Sequence, residues 1–236
     1  MNETTRNLLK RVSTATLATA LYKRGFRSQM VQGVLPLRTL GESMVGPAYT
    51  IRTIPAREDL NKLEVFRDWS HPQRKGVEEC PPGHVFIVDS RKDPRAASAG
   101  GILVTRLMVR GAAGVVTDGG FRDAAEIAKL AIPAFHARPS APTNLTLHQP
   151  IEANVPIGCG DAPVFPGDIL VGDNDGVIVL PAHIADELAQ EATEMTAFED
   201  FVQEKVAGGQ SILGLYPPTD ETNLARFAEW RRQHGR

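Results

Sequence analysis

Cysteine is almost missing from this chain. Cys80 and Cys159 are the two it has, far apart and in no metal-ligand spacing. That excludes a disulfide-stapled scaffold and a thiolate zinc module, and it suits two reduced, buried thiols in a cytoplasmic protein. An excess of charge of either sign is also missing: 26 basic against 28 acidic side chains leave a formal net charge of −2. General polyanion binding is therefore not expected, and no nucleic-acid partner with it. No run approaches the roughly 18 apolar residues of a membrane span, and the first residues lack an apolar core with a cleavage site. No membrane partner is expected either. Internal repeats and low-complexity tracts are absent. A chain of 236 residues suits one ordinary domain, or one domain with extensions, around a sizeable core.

What is present concentrates between Ala96 and Glu126. Gly100-Gly101 leads into Ile102, Leu103, Leu107 and Met108 at helical spacing, and Gly111 ends that segment. The apolar run Gly114-Val115-Val116-Thr117 follows, then Asp118-Gly119-Gly120-Phe121-Arg122-Asp123. The order is glycine turn, helix, buried strand, glycine turn, then a charged pair at the mouth of the next helix. Ligands of open α/β sheets bind beyond the carboxyl ends of strands, and Arg122 and Asp123 fall just past one. Gly100 and Gly101 leave N–H groups unshielded at a helix start, which suits a carboxylate or phosphate. Arg122 offers a planar fork to a carboxylate or a developing enolate oxygen. Asp123 offers hard oxygens to Mg²⁺ or a similar cation. Together they outline a site for a small anionic 2-oxo acid. The plainer alternative, a tight turn and a helix-start ion pair, fits the same spacing.

Elsewhere the chain reads as follows. Residues 3–25 are helical, with Ser13-Thr14 capping a second helix. Ala48–Ile54 is a strand. Residues 55–82 are the least regular part, a surface loop or a helix around Asp59–Arg67; Arg57 or His71 there can read the far end of a substrate or simply face solvent. Gly83 opens a buried strand to Asp89, which can orient a water or Arg122, or cap the charged loop Ser90–Arg95. Residues 123–130 form a short helix and Ile132–His136 a strand. His136 is a proton donor or acceptor or, more plainly, a hydrogen-bonded structural histidine. Residues 151–157 and 169–180 are strand-like, with Asp173-Asn174-Asp175-Gly176 as a hairpin turn and no calcium loop. Pro181 begins a long helix to about Val206, with a stripe of Ile184, Leu188, Met195, Phe198, Val202 and Val206. The tail, 211–236, carries an amphipathic segment with Leu224, Phe227 and Trp230, expected to pack on the same or an adjacent subunit; its final arginines are expected to fray. Parallel βα units over 83–136 and hairpins over 151–180 predict an α/β fold with a mixed central sheet, a helical N-terminus and a C-terminal helical extension.

Gly100-Gly101-Ile102-Leu103 and the run Arg110 to Asp123, with its G-x-x-G-V-V-x-D-G-x-x-R-D string, resemble the signature of the RraA-like family. That family contains 4-hydroxy-4-methyl-2-oxoglutarate/4-carboxy-4-hydroxy-2-oxoadipate aldolases and regulators of ribonuclease E activity. The resemblance is strongest over about 83–180 and weaker out to about 12–205. It implies the swivelling β/β/α fold over residues 1–210, assembled as homotrimers or homohexamers with sites between subunits. It implies that the backbone amides of Gly100, Gly101, Ile102 and Leu103 hold a pyruvate carboxylate, that Arg122 contacts the substrate oxygens, and that Asp123 holds the divalent metal, largely with waters. Some aldolases of the family carry an acidic residue where this chain has Gly101. A glutamate from the neighbouring subunit is also described for the family; Glu191, Glu194 and Glu199 all match it.

The function expected is a Mg²⁺- or Mn²⁺-dependent pyruvate aldolase cleaving a 4-hydroxy-2-oxo acid, with oxaloacetate decarboxylation as a side activity through the same enolate. No lysine lies between Gly100 and Ala128, which disfavours a Schiff base. The substrate tail is a 2-keto-3-deoxy sugar acid chain or a branched acid of the 4-hydroxy-4-methyl-2-oxoglutarate type; the mixed polar loop before the site inclines toward the sugar acid. The alternative is a non-catalytic regulator that binds a ribonuclease.

Overall fold

The computed structural model describes residues 1–236. Two helices open the chain, α1 (Glu3–Leu9) and α2 (Thr14–Lys23), followed by β1 (Met30–Val31), β2 (Leu35–Pro36) and the long β3 (Met44–Pro55). Next come α3 (Pro72–Glu79), β4 (Val85–Val88), β5 (Ala97–Ala99), α4 (Gly101–Val109), β6 (Gly114–Thr117), β7 (Gly120–Phe121), α5 (Ala124–Ile127), β8 (Ala134–His136) and β9 (Arg138–Pro139). The last part holds β10 (His148–Ala153), β11 (Ile157–Cys159), β12 (Ala162–Val164), β13 (Ile169–Asp173), β14 (Gly176–Leu180), α6 (Ala185–Ala207) and α7 (Glu221–His234).

The main sheet is mixed, as expected. β3, β4, β6 and β8 run parallel, while β13, β14, β10 and β2 pair antiparallel. Its order is β1-β14-β13-β3-β4-β6-β8-β2. β1 and β2 lie at opposite ends of that order, yet only residues 32–34 separate them in sequence. Strands tethered so tightly force the sheet to curl back on itself, which leaves little unpaired edge.

Period-two alternation sorts the side chains between the two faces. Val85, Ile87, Val116, Phe135, Leu170, Val177 and Val179 point into the curled sheet and form one core. Phe86, Val88 and Val115 point out, under Val77 of α3 and Val104 and Leu107 of α4. Ile169, Val171, Ile178 and Leu180 also point out, under α1, α2 and Leu188, Ala189 and Ala192 of α6. Burial on both faces is why these strands read as unbroken apolar runs.

A second, small sheet is the feature that sequence reading missed. β5, β7 and β9 pair in parallel, each following β4, β6 or β8 after a break in the chain. The glycine turn proposed around Gly119-Gly120 is therefore half strand: Gly120 pairs with Ala97 and Phe121 with Ala99. The break is pinned by a buried cluster. Asp118 accepts from the amides of Ser90, Lys92 and Gly160, and Ser90, Ser98 and Thr117 share hydroxyl contacts. A Cβ on Gly119 would stand 2.6 Å from both Ser90 and Ser98, so glycine is required there.

The ends of the chain fold back on its body. Ser13 caps α2 through the Thr16 amide at 3.0 Å, and Asp173, placed in a turn by its sequence, also accepts from Thr14 N at 2.7 Å. The stripe on the long helix divides. Leu188 faces the sheet cluster, whereas Phe198 and Phe201 pack with Leu215, Phe227 and Trp230 of the tail. Val206 is exposed, and the apolar contacts go instead to Phe201 and Val202. The terminal arginines are held rather than frayed: Arg231 pairs with Glu194 and Arg236 with Asp200.

Candidate functional site

Gly100 follows β5, Arg122 and Asp123 follow β7, and Thr143 and Asn144 lie beyond β9. Parallel pairing of these three strands brings their carboxyl ends to one edge. There they line a cleft of about 220 Å³ with Ile102 and Leu103 of α4, Gln73 and Arg74 of α3, and Phe66. The main chain locks the register: Arg122 N donates to Ala99 O at 3.1 Å.

Three predicted groups meet here. Asp123 Oδ2 accepts from the Gly101 amide at 3.1 Å and stands 3.8 Å from Arg122 Nε. Both side chains remain about half exposed to the cleft, 51% for Arg122 and 48% for Asp123. Asp123 adopts φ +59, a left-handed conformation that Asp tolerates better than most residues. Gly100 is required by contact, not by its backbone angles. A Cβ there would lie 2.7 Å from Arg122 Cγ and 3.1 Å from Asp123 Oδ2. A Cβ on Gly101 would meet Asp123 at an ordinary 3.5 Å.

The amide cradle differs in detail from expectation. The Gly101 N–H is committed to Asp123, and those of Leu103 and Val104 turn back to Gly100 O. The Ile102 N–H donates to nothing in the chain. The free donor at the α4 N-terminus is thus Ile102, with Arg122 beside it.

Asp123 is the one acid among the lining residues, and no lysine is among them. Nowhere in the chain do three His, Cys, Asp or Glu side chains gather as a ligand set. A cation at Asp123 would therefore be held by one carboxylate, with ligand and water oxygens filling the rest. That fits Mg²⁺, which keeps several waters and often uses one or two carboxylates; it does not fit a closed zinc site.

Other sequence candidates fall elsewhere. Arg57 pairs with Asp59 on the surface. His71 is buried against Phe66, and burial lowers its pKa. Asp89 lies outside the cleft and accepts from Arg91 N at 2.8 Å; burial pushes its carboxyl up to about 6. His136 stacks on Phe121 with ring centroids 5.5 Å apart, and burial pushes it down to about 4. It is a neutral core histidine near neutral pH, and its Nδ1 has no hydrogen-bond partner. Glu191 binds Arg24, Glu194 binds Arg231 and Glu199 accepts from Thr16. All three are engaged within their own chain.

The irregular segment 55–82 does face the cleft, through Phe66, Gln73 and Arg74 rather than Arg57 or His71. The Phe66–Arg74 spacing gave no signal on its own, because the two meet only once α3 folds back.

The profile described as RraA-like, Aldolase/RraA, matches residues 14–179. A Halalkalibacterium halodurans protein, provisionally named a 4-hydroxy-4-methyl-2-oxoglutarate aldolase, is 30% identical over 74% of this chain and 77% of its own length. The Thermus thermophilus 4-hydroxy-4-methyl-2-oxoglutarate aldolase is 34% identical over 52% of this chain and 73% of its own. Among solved structures, Streptomyces coelicolor RraAS2, described as an unusual member of the RNase ES inhibitor RraA family, superposes with a TM-score of 0.75. It is 28% identical and covers 86% of this chain and 97% of its own.

Proposed function

The chain belongs to the RraA-like family, and we propose that it is a divalent-metal-dependent lyase cleaving a 4-hydroxy-2-oxo acid to pyruvate and a carbonyl fragment. The observation that carries this reading is the meeting of Asp123, Arg122 and the α4 N-terminus in one cleft. Relatives named as 4-hydroxy-4-methyl-2-oxoglutarate aldolases support an aldolase at the level of the family.

Asp123 would hold Mg²⁺ or Mn²⁺, which supplies Lewis acidity toward the 2-oxo and carboxylate oxygens. The Ile102 N–H and the positive end of α4 bind the substrate carboxylate. Arg122 donates to the C2 oxygen, where negative charge grows as the C3–C4 bond breaks. No second acid lines the cleft, so the 4-hydroxyl proton leaves to a water held beside Arg122. The enolate then takes a proton at C3. Oxaloacetate loses CO₂ to the same enolate and is expected to be decarboxylated. Oligomers of the trimer or hexamer type belong to this reading, with a neighbouring subunit closing the open side of the cleft.

A regulatory role is the second reading, favoured by the likeness to RraAS2. A panel of 4-hydroxy-2-oxo acids with coupled pyruvate detection separates the two. Pyruvate release that needs Mg²⁺ or Mn²⁺ and stops in EDTA supports the lyase. Folded, metal-loaded protein that releases no pyruvate from any member supports the regulator.

A further inference from the structure

Gln73 and Arg74 sit across the cleft from the groups discussed above, and neither is explained by packing. Gln73 is 3% exposed. Its amide nitrogen donates to Ser98 O, which leaves Oε1 as the acceptor turned toward the cleft, buried and without a partner. Buried acceptors are rarely left unmet. Arg74 lies with its guanidinium carbon 4.4 Å over the Phe66 ring. Its Nε is buried and bonded to nothing, and it belongs to no ion pair in the chain, whereas Arg122 at least faces Asp123. With Asp123 as the single acid against two arginines, the lining has surplus positive charge on its α3 side.

We propose that Arg74 is the specificity-determining residue of this cleft, selecting 2-oxo acids that carry a second carboxylate at the far end, with Gln73 Oε1 accepting from the substrate hydroxyl. This rests on the pyruvate-lyase reading for the orientation of the substrate. The flat ring of Phe66 holds the guanidinium and leaves its donor edge for a carboxylate, as stacked arginines do. A neutral polyol chain would leave that charge and the Nε donor unmet. The inclination toward a sugar acid tail is therefore replaced by a dicarboxylate.

The test uses two non-cleavable ligands of equal length, 2-oxoglutarate and 2-oxopentanoate, titrated calorimetrically into the full chain with Mg²⁺. The wild type is expected to bind 2-oxoglutarate about 10- to 100-fold more tightly, the range of a hydrogen-bonded charge pair. That ratio should fall to within about threefold in Arg74→Met and recover in part in Arg74→Lys. A wild-type ratio near one, a ratio that survives Arg74→Met, or no binding of either ligand overturns the proposal. Arg74→Gln serves if Arg74→Met fails to fold, and the wild-type ratio decides without either. Metal-dependent pyruvate release from oxaloacetate is measured alongside. If release occurs and the ratio is flat, the selectivity fails while the lyase reading stands. If the ratio holds and no pyruvate forms, the reading fails and Arg74 remains a determinant of ligand binding.

Discussion

A missing side chain decides as much at this site as the charged ones do. Because a Cβ at Gly100 would press on Arg122 Cγ at 2.7 Å, Gly100→Ala should displace the guanidinium and cut kcat/KM by about 100-fold, the order expected for an ångström of misplacement. Gly101→Ala, with an ordinary 3.5 Å approach, should cost far less, and steady-state kinetics of the two variants checks the contrast. His136 supplies a pH test at the same scale. Burial holds its pKa at about 4 in the fold, against about 6.5 unfolded. The unfolded chain therefore binds the extra proton between those values, and this contribution to stability is lost as pH falls from about 6.5 to 4. Asp89 acts in the opposite sense: its pKa is raised to about 6, so its unfavourable contribution grows as pH rises from about 4 to 6. Melting curves should show His136→Phe flattening the acid limb of the profile. Asp89→Asn should stabilise the protein above pH 6 and not below 4.

Strands carry the legible part of this fold. β4 and β6 were readable because a run buried on both faces has few alternatives, and α2 and the β13–β14 hairpin because their cap and turn residues are explicit. The small sheet was not readable. Ala97–Ala99 and Gly120–Phe121 are too short for alternation to show, and their pairing depends on where the larger strands end. That sheet brings β5 and β7 side by side, so the sequence could name Gly100, Arg122 and Asp123 without saying how they meet. Gln73 and Arg74 were invisible for a related reason, since α3 reaches the cleft only by packing on α4 and the outer face of the sheet. Phe135 of β8, fully buried in the inner core, tests the closure of the main sheet. Phe135→Ala should destabilise by about 3–5 kcal/mol through lost burial and the cavity left behind, read by denaturant unfolding. A much smaller loss would mean that the interior is not packed as described.

Seen whole, the molecule is a curled sheet with helices on its outer faces and an aromatic clasp at its end. Trp230 and Leu215 are buried on Phe201 of α6, and each such burial contributes roughly 1.5–3 kcal/mol. A chain ending at residue 210 should keep its far-ultraviolet dichroism but melt several degrees lower, because Phe198 and Phe201 lose their cover. Loss of all ordered structure on that truncation would make the tail part of the central core instead of an extension. No helix is long and apolar enough to cross a membrane. The central claim is that Asp123 holds a divalent cation beside an arginine and a helix end. It is tested most directly by the initial rate of pyruvate formation from oxaloacetate as Mn²⁺ is raised, above a protein-free control, for wild type and Asp123→Asn. The account predicts saturation with Mn²⁺ in the wild type, abolition by EDTA, and a loss of about 1,000-fold or more in the variant. Equal rates for the two proteins, or a wild-type rate indifferent to Mn²⁺ and EDTA, would contradict it.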